Sequence, residues 1–155
     1  NVINTITEQT KLIAFNASVS AMAVGVARAA YECALAYTKE RVQGDRLIFE
    51  HQSVRARLFR MFSLVQASRS LSRQVFVHNV TRLKRLESAP LHHSIAAKVF
   101  CTQAAHEVAT LAVQLHGGFG MTREYPVEML LRDATAFTIA DGENALLAQL
   151  GASAL

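Results

Sequence analysis

Apolar residues in the first third of the chain recur at alternating intervals of three and four: Leu12, Phe15, Val19, Met22, Val26, Ala29 and Cys33. An α-helix turns once in about 3.6 residues, so this spacing lays them along a single stripe. The pattern returns in Val54, Leu58, Met61 and Val65, with Leu64, Leu71 and Val75 on a neighbouring stripe. It returns again in Ala97, Cys101, Ala104, Val108, Leu111 and Leu115. No stretch alternates with period two for long enough to make a strand. Between the large residues of the first stripe stand Ala21, Ala23, Gly25, Ala27 and Ala30. A helix this thin admits close neighbours on several sides, so it is expected to run through the centre of a bundle.

The breaks between these segments are short. Gln43-Gly44-Asp45 is a turn signal, and a second helix is expected from about Glu50 to Leu86. Ser88-Ala89-Pro90 ends it, because proline disfavours helix in the residue before it. The third helix stops at Gly117-Gly118, where glycine readily takes the conformation that closes a helix. Val127 to Asp133 reads as a short helix, Asp141-Gly142 as a turn, and Glu143 to Leu155 as the last helix. Long helices joined by short loops imply an all-α fold, an antiparallel four-helix bundle with up-down-up-down topology.

With 155 residues, 51% of them hydrophobic, the chain is the length of one ordinary domain and has enough apolar material for a sizeable core. The net charge of +4 is spread over Arg55, Arg57, Arg60, Arg69, Arg73, Arg82 and Arg85 without a basic block. This reads either as solvated helix faces or as a preference for an anionic, phosphate-rich ligand. No nucleic-acid motif accompanies the charge. Cys33 and Cys101 form neither a CxxC nor a zinc pattern, so both are expected as free thiols in a reducing, cytoplasmic setting. No leader peptide and no run long enough to span a bilayer is apparent. The first residue is Asn1, not methionine, which suggests a piece of something longer.

Chemical signals are sparse. His51, His78, His92, His93, His106 and His116 make no metal-ligand spacing, so no metal site is expected. Two segments outside the core pattern carry alternatives. Gln114 to Gly120 holds three glycines in four residues, which permits either a helix stop or a close backbone approach to another molecule. Asp141 follows the apolar run Ala136 to Ala140. An apolar surrounding would suit it to a general base; alternatively, it caps the last helix.

Taken in order, several segments resemble the flavin-dependent acyl-CoA dehydrogenases. Ala23 to Ala30 and Tyr37 to Arg41 resemble the first helix of that family's C-terminal domain. Arg41-Val42-Gln43 through Ile48 to Gln52 resembles its R-x-Q-F-G-x-x-I-x-x-x-Q stretch. Gln114 to Gly120, Glu124-Tyr125-Pro126-Val127-Glu128 and Arg132-Asp133-Ala134 resemble its Q-x-x-G-G-x-G, E-Y-P-V-E and R-D-A series. The resemblance covers nearly the whole chain. It implies one C-terminal helical-bundle domain over residues 1–155, without the family's N-terminal helical and middle β domains.

What the resemblance implies for function follows residue by residue. The cofactor is flavin adenine dinucleotide (FAD). Arg41 would meet the pyrophosphate of a neighbouring subunit's flavin, with Gln43 beside it. Ile48 and Gln52 would line the adenine end, and Gln114, Gly117 and Gly118 would pass close to the dinucleotide. Asp141 stands where the family carries its catalytic glutamate, in a Y-E-G-T motif that reads Ala140-Asp141-Gly142-Glu143 here, and Glu143 would lie near the flavin. The reaction implied is α,β-dehydrogenation of an acyl-CoA thioester in fatty-acid metabolism, with electrons passed to an electron-transfer acceptor. The implied assembly is a homodimer or homotetramer, with neither a nucleic-acid partner nor a membrane span. An isolated domain is expected to be inactive. The alternative is a helical flavin-cleft or oligomerisation module from a member of altered chemistry, an oxidase- or monooxygenase-like or non-catalytic relative.

Overall fold

The computed structural model describes residues 2–85, 89–153 and 155. Among the described residues there are five α-helices: α1 (Val2–Glu40), α2 (Gln52–Lys84), α3 (Leu91–His116), α4 (Val127–Ile139) and α5 (Asn144–Ala152). Among the described residues the only strand-like feature is one isolated bridge, Val42 to Leu47. The two prolines stand at helix starts, Pro90 before α3 and Pro126 before α4. There the missing N–H of proline costs nothing, since a first-turn donor has no partner inside the helix.

Cross-helix contacts fix the topology. Along α2 and α3, Arg60 meets Glu107 at 2.8 Å and Asn79 meets Ser94 at 2.9 Å, so the two run antiparallel. Tyr31 near the end of α1 meets Phe62 in the first part of α2. Tyr37 of α1 meets His116 of α3, end to end, so those two are parallel. Lys98 near the start of α3 reaches Thr138 at the end of α4, which makes α4 the antiparallel fourth member. The bundle is up-down-up-down, as the spacing predicts. The short α5 folds back over the first half of α3, with Asn144 bonded to Thr102.

The centre of the bundle is α3, not α1, for α3 packs on every other helix. The buried face of α1 also differs from the stripe of large residues. Phe15 is 52% and Met22 49% exposed, whereas Ala23, Ala27, Ala30 and Ala34 are fully buried. They share one core cluster with Ala104, Ala105, Ala109 and Ala112 of α3, which are equally buried or nearly so. Small side chains on both helices let the axes approach toward the lower end of the ~8–10 Å range, so packing contact rather than side-chain bulk selects the face. The stripes of α2 and α3 match expectation: Leu58, Met61, Leu64, Val65, Val75, Cys101, Val108 and Leu115 are buried. Burying a side chain such as Met61 contributes roughly 1.5–3 kcal/mol.

Element boundaries differ in several places. α1 stops at Glu40 and α2 starts at Gln52. The expected end of α2 at Leu86 and the break at Ser88 lie outside the described residues. α4 continues past Asp133 to Ile139, because Val127, Leu130, Ala134 and half-buried Phe137 keep a helical stripe on the core. α5 is confined to Asn144–Ala152. Both cysteines are free, and burial pushes the Cys101 thiol up to about 11.

One further expectation needs correction. By length and composition the segment Thr7–Glu40, with a mean hydropathy of 1.5, is long and apolar enough to cross a membrane. Its alanine face is packed into the bundle.

Candidate functional site

Helices α1 and α3 finish side by side, and the chain leaves each through a tight turn. After α1, Arg41 N–H donates to the Tyr37 carbonyl and the Arg41 carbonyl accepts from Ile48 N–H at 2.8 Å. Between them Gly44 (φ 64°) and Asp45 (φ 59°) are both left-handed, and Gln43 N–H closes the turn on Arg46 O. Two successive positive φ values are the signature of a tight hairpin turn, for which glycine and aspartate are among the favoured residues. After α3, Gly117 takes φ 61° and turns the chain into a short 3-10 segment, Gly117–Met121. Gly120 abuts α3 so closely that a Cβ there would collide with the Val113 carbonyl.

These two turns enclose a cleft of about 680 Å³. Arg41, Gln43, Ile48, Gln114, Gly117 and Gly118 all line it. No atom lies within 4 Å of where a Cβ would stand on Gly117 or Gly118, so the backbone faces open space. Three other anticipated residues are elsewhere. Gln52 begins α2 on an exposed face just beyond Ile48. Asp141 and Glu143 lie in the α4–α5 turn, beside Lys98 at the opposite end of α3. About 27 Å of α3, at ~1.5 Å per residue, separates Lys98 from His116.

The cleft has lining residues that the motif reading did not single out: Tyr37, Leu115, His116, Phe119 and Thr122. Tyr37 stacks on His116 with ring centroids 4.2 Å apart, and Tyr125 meets His116 edge-on at 5.1 Å. The Arg41 guanidinium stands 5.7 Å from the Phe119 ring centroid, a cation–π contact. His116 is buried and its Nδ1 pairs with the Ala112 carbonyl at 2.8 Å, which assigns the proton to Nδ1. Burial pushes its pKa down, so the ring is neutral at pH 7. The floor of the cleft is therefore aromatic and uncharged, and its rim carries one fixed cation. The sequence signal for this floor was spacing: Tyr37 precedes Arg41 by one helical turn, and His116 immediately precedes the glycine pair.

The far turn is built differently. Asp141 is exposed and left-handed (φ 54°), followed by Gly142 at φ 111°. The apolar run before it is the end of α4, so Asp141 does not enter an apolar surrounding within this chain. Nor does Asp141 cap α5. Glu143 does so, accepting from Ala145 N–H at 2.9 Å and Leu146 N–H at 3.1 Å. Those amides, and then the Lys98 charge, hold its carboxyl below the usual range. Among the described residues no group of three His, Cys, Asp or Glu side chains is placed to hold a metal ion.

The family model for "Acyl-CoA dehydrogenase, C-terminal domain" matches residues 9–155. The chain belongs to the acyl-CoA dehydrogenase family. It is 39% identical over 128 residues to a probable acyl-CoA dehydrogenase of Mycobacterium tuberculosis, covering 82% of this chain and 32% of that protein. It is 32% identical over 124 residues to a caffeyl-CoA reductase-Etf complex subunit of Acetobacterium woodii, covering 80% of this chain and 31% of the relative. The butyryl-CoA dehydrogenase structure from Megasphaera elsdenii superimposes with a TM-score of 0.85 at 29% identity, over 94% of this chain and 37% of that one. The chain thus spans about a third of the length of its acyl-CoA dehydrogenase relatives. Acyl-CoA dehydrogenases depend on FAD, and the cleft has the features a dinucleotide needs: a fixed cation for phosphate oxygens, glycine backbone open to approach, and flat aromatic rings.

Proposed function

We propose that this chain is the C-terminal domain of a cytoplasmic FAD-dependent acyl-CoA dehydrogenase that desaturates an acyl-CoA thioester between its α and β carbons. The observation that carries this reading is the convergence of Arg41, Gln43, Ile48, Gln114, Gly117 and Gly118 on one cleft. They come from two segments far apart in sequence, and the family resemblance implies a dinucleotide-facing role for each. Arg41 would neutralise pyrophosphate charge, and Gly117 and Gly118 would let the backbone lie against the ligand. FAD, when bound, supplies the acceptor for the β-hydride. Asp141 would remove the α-proton, and its backbone N–H would polarise the thioester oxygen.

The distance between the cleft and Asp141 supports a role for each at a different flavin, with the cleft serving a neighbouring subunit. Apolar side chains on the outer faces of α1 and α2 support the same view: Phe15, Met22, Phe59 and Phe76 are each at least 49% exposed. Such surface suits a homodimer or homotetramer and the other parts of a longer enzyme. The 155-residue chain alone would then be inactive. The similarity to an Etf-complex subunit supports an electron-transfer flavoprotein as acceptor.

The decisive experiment uses the complete polypeptide containing this chain, loaded with FAD and kept anaerobic. Acyl-CoA should bleach the flavin absorbance, and Asp141→Asn should slow bleaching at least a hundredfold. An unchanged rate in Asp141→Asn would remove Asp141 as the base.

The second reading, a module of altered chemistry, is favoured by one observation. The Glu143 carboxylate is engaged in capping α5, and the turn carries aspartate in place of the family's glutamate. Oxygen-dependent reoxidation of the reduced flavin with product oxygenation would favour it. A strictly monomeric 155-residue chain in light scattering would count against an assembly role.

A further inference from the structure

Among the described residues Lys98 is the largest fully buried side chain, on the face of α3 that meets the α4–α5 turn. A lysine is rarely buried whole, and then only with partners for its ammonium. Here Nζ donates to the Gly142 carbonyl at 2.6 Å, to Asn144 Oδ1 at 2.9 Å and to the Thr138 carbonyl at 3.4 Å. Its three donors thus meet three acceptors. The acceptors lie in the last turn of α4, in the turn itself and in the first residue of α5. Asn144 is held in turn by Thr102, one helical turn along α3 from Lys98.

We infer that Lys98 is the positioning residue of the Asp141 turn: it clamps both flanks of Asp141 to α3 and so fixes the direction of the carboxylate and backbone N–H that Asp141 presents.

The physical reasons are local. Helix α4 ends in carbonyls with no partner inside the helix, and a buried cation at that end satisfies one of them and complements the helix dipole. Asp141 and Gly142 are both left-handed, a conformation that an aspartate adopts only at a cost and that something outside the turn must hold. Gly142 is also confined, since a Cβ there would stand 3.0 Å from the Leu147 side chain. With Leu147 on one side and the Lys98 ammonium on its carbonyl, the peptide after Asp141 has one orientation. Burial works against the charged form of Lys98, and the nearby Glu143 and Asp141 carboxylates support it.

This inference rests on the reading of Asp141 as the base, but its structural part is testable without catalysis. In nuclear magnetic resonance spectra of the 155-residue chain, the Lys98 ammonium protons should be protected from exchange and show cross-peaks to Gly142. The one-bond Cα–Hα coupling of Asp141, with a strong cross-peak between its amide and α protons, should report a positive φ. In Lys98→Met the Asp141 coupling should shift to a negative or averaged φ, while circular dichroism keeps its helical intensity. The titration midpoint of Glu143 should rise, since the Lys98 charge is one of the causes that hold it down. Lys98→Gln, whose side-chain amide keeps two N–H donors without the charge, should restore the Asp141 coupling in part. Unprotected Lys98 ammonium protons in the native chain overturn the proposal even if Lys98→Met does not fold. So does an unchanged Asp141 φ in a folded Lys98→Met. In the complete flavoprotein, Lys98→Met should lower kcat more than tenfold with KM for acyl-CoA within twofold. If the spectra behave as described but Asp141→Asn keeps full activity, the clamp stands and the assignment of the base falls.

Discussion

Tyr37 and His116 stack their rings 4.2 Å apart and 22° from parallel, tying the end of α1 to the end of α3 beneath the cleft. His116 gives its Nδ1–H to the Ala112 carbonyl, and Nε2 is buried with no partner. A proton arriving at Nε2 would create a buried charge without compensation. In the unfolded chain the imidazole accepts that proton near pH 6.5; in the folded chain burial delays it to lower pH. Between the two values the unfolded state holds more protons, so stability rises with pH.

The chain should therefore lose thermal stability as pH falls from 7 to 5, with a slope of up to about 1.4 kcal/mol per pH unit for each such histidine. His93 adds a smaller contribution of the same sign, because it is exposed and solvent screens it; burial and then His92, His78 and Arg82 lower its pKa. His116→Phe keeps the stacked ring and should flatten the dependence in part. Calorimetry of both proteins at pH 5, 6 and 7 checks this. Parallel curves for the two would assign the acid sensitivity to other groups.

The alanine seam between α1 and α3 makes a sharper packing prediction. Ala27→Leu forces extra side-chain volume between fully buried alanines and should destabilise the fold by about 1–3 kcal/mol or more. Phe15→Ala, at an exposed position of the same helix, should stay within about 0.5 kcal/mol. Denaturant titrations decide between this face and the large-residue stripe, which predicts the reverse order.

Gly117 and Gly118 should separate conformation from access. At φ 61° a side chain on Gly117 is strained whatever the space around it, so Gly117→Ala should cost about 1–3 kcal/mol of stability. Gly118→Ala has open space and should leave stability unchanged, yet weaken FAD retention in the complete protein. Thermal melts together with the ratio of flavin to protein after desalting provide both readouts. A Gly118→Ala protein that holds FAD as well as the parent would argue that the backbone does not approach the ligand there.

Glu143 gives a pH test of opposite sign. Its carboxyl is held below the usual value by the Ala145 and Leu146 amides and by Lys98. The stability it adds is therefore present above about pH 4.5 and lost as pH falls through its lower folded value. Glu143→Gln should lower the thermal midpoint at pH 7, and the gap to the parent should close toward pH 3. A gap of constant size would mean that the cap acts without its charge.

The bundle was legible because three- and four-residue spacing, Pro90, Pro126 and Gly117-Gly118 are local signals that tertiary contacts reinforced. The buried face of α1 was not, because a hydrophobic stripe records what side chains are, whereas the seam depends on what α3 offers opposite them. Phe15 and Met22 are apolar and outside; Ala27 is small and inside. The cleft was half legible. Arg41, Gln43 and the glycines stand in motifs, but the stacking of Tyr37 on His116 requires two helix ends to coincide. Lys98 left no trace in the sequence, since a lysine among alanines reads as a solvated position. The capping of α5 by Glu143, not Asp141, turned on a two-residue offset that only the left-handed turn at Asp141 and Gly142 explains.

The separation of the Arg41 cleft from the Asp141 turn along α3 has a genetic consequence. If each chain lends its two ends to two different catalytic centres, two inactive alleles can rescue one another. Co-expression of complete polypeptides bearing Arg41→Ala and Asp141→Asn should yield mixed assemblies in which some centres draw an intact cleft from one chain and an intact carboxylate from the other. Activity should reappear in the mixture and in neither parent. Its absence, with mixed assemblies demonstrated, would mean that both ends act within a single chain's own centre.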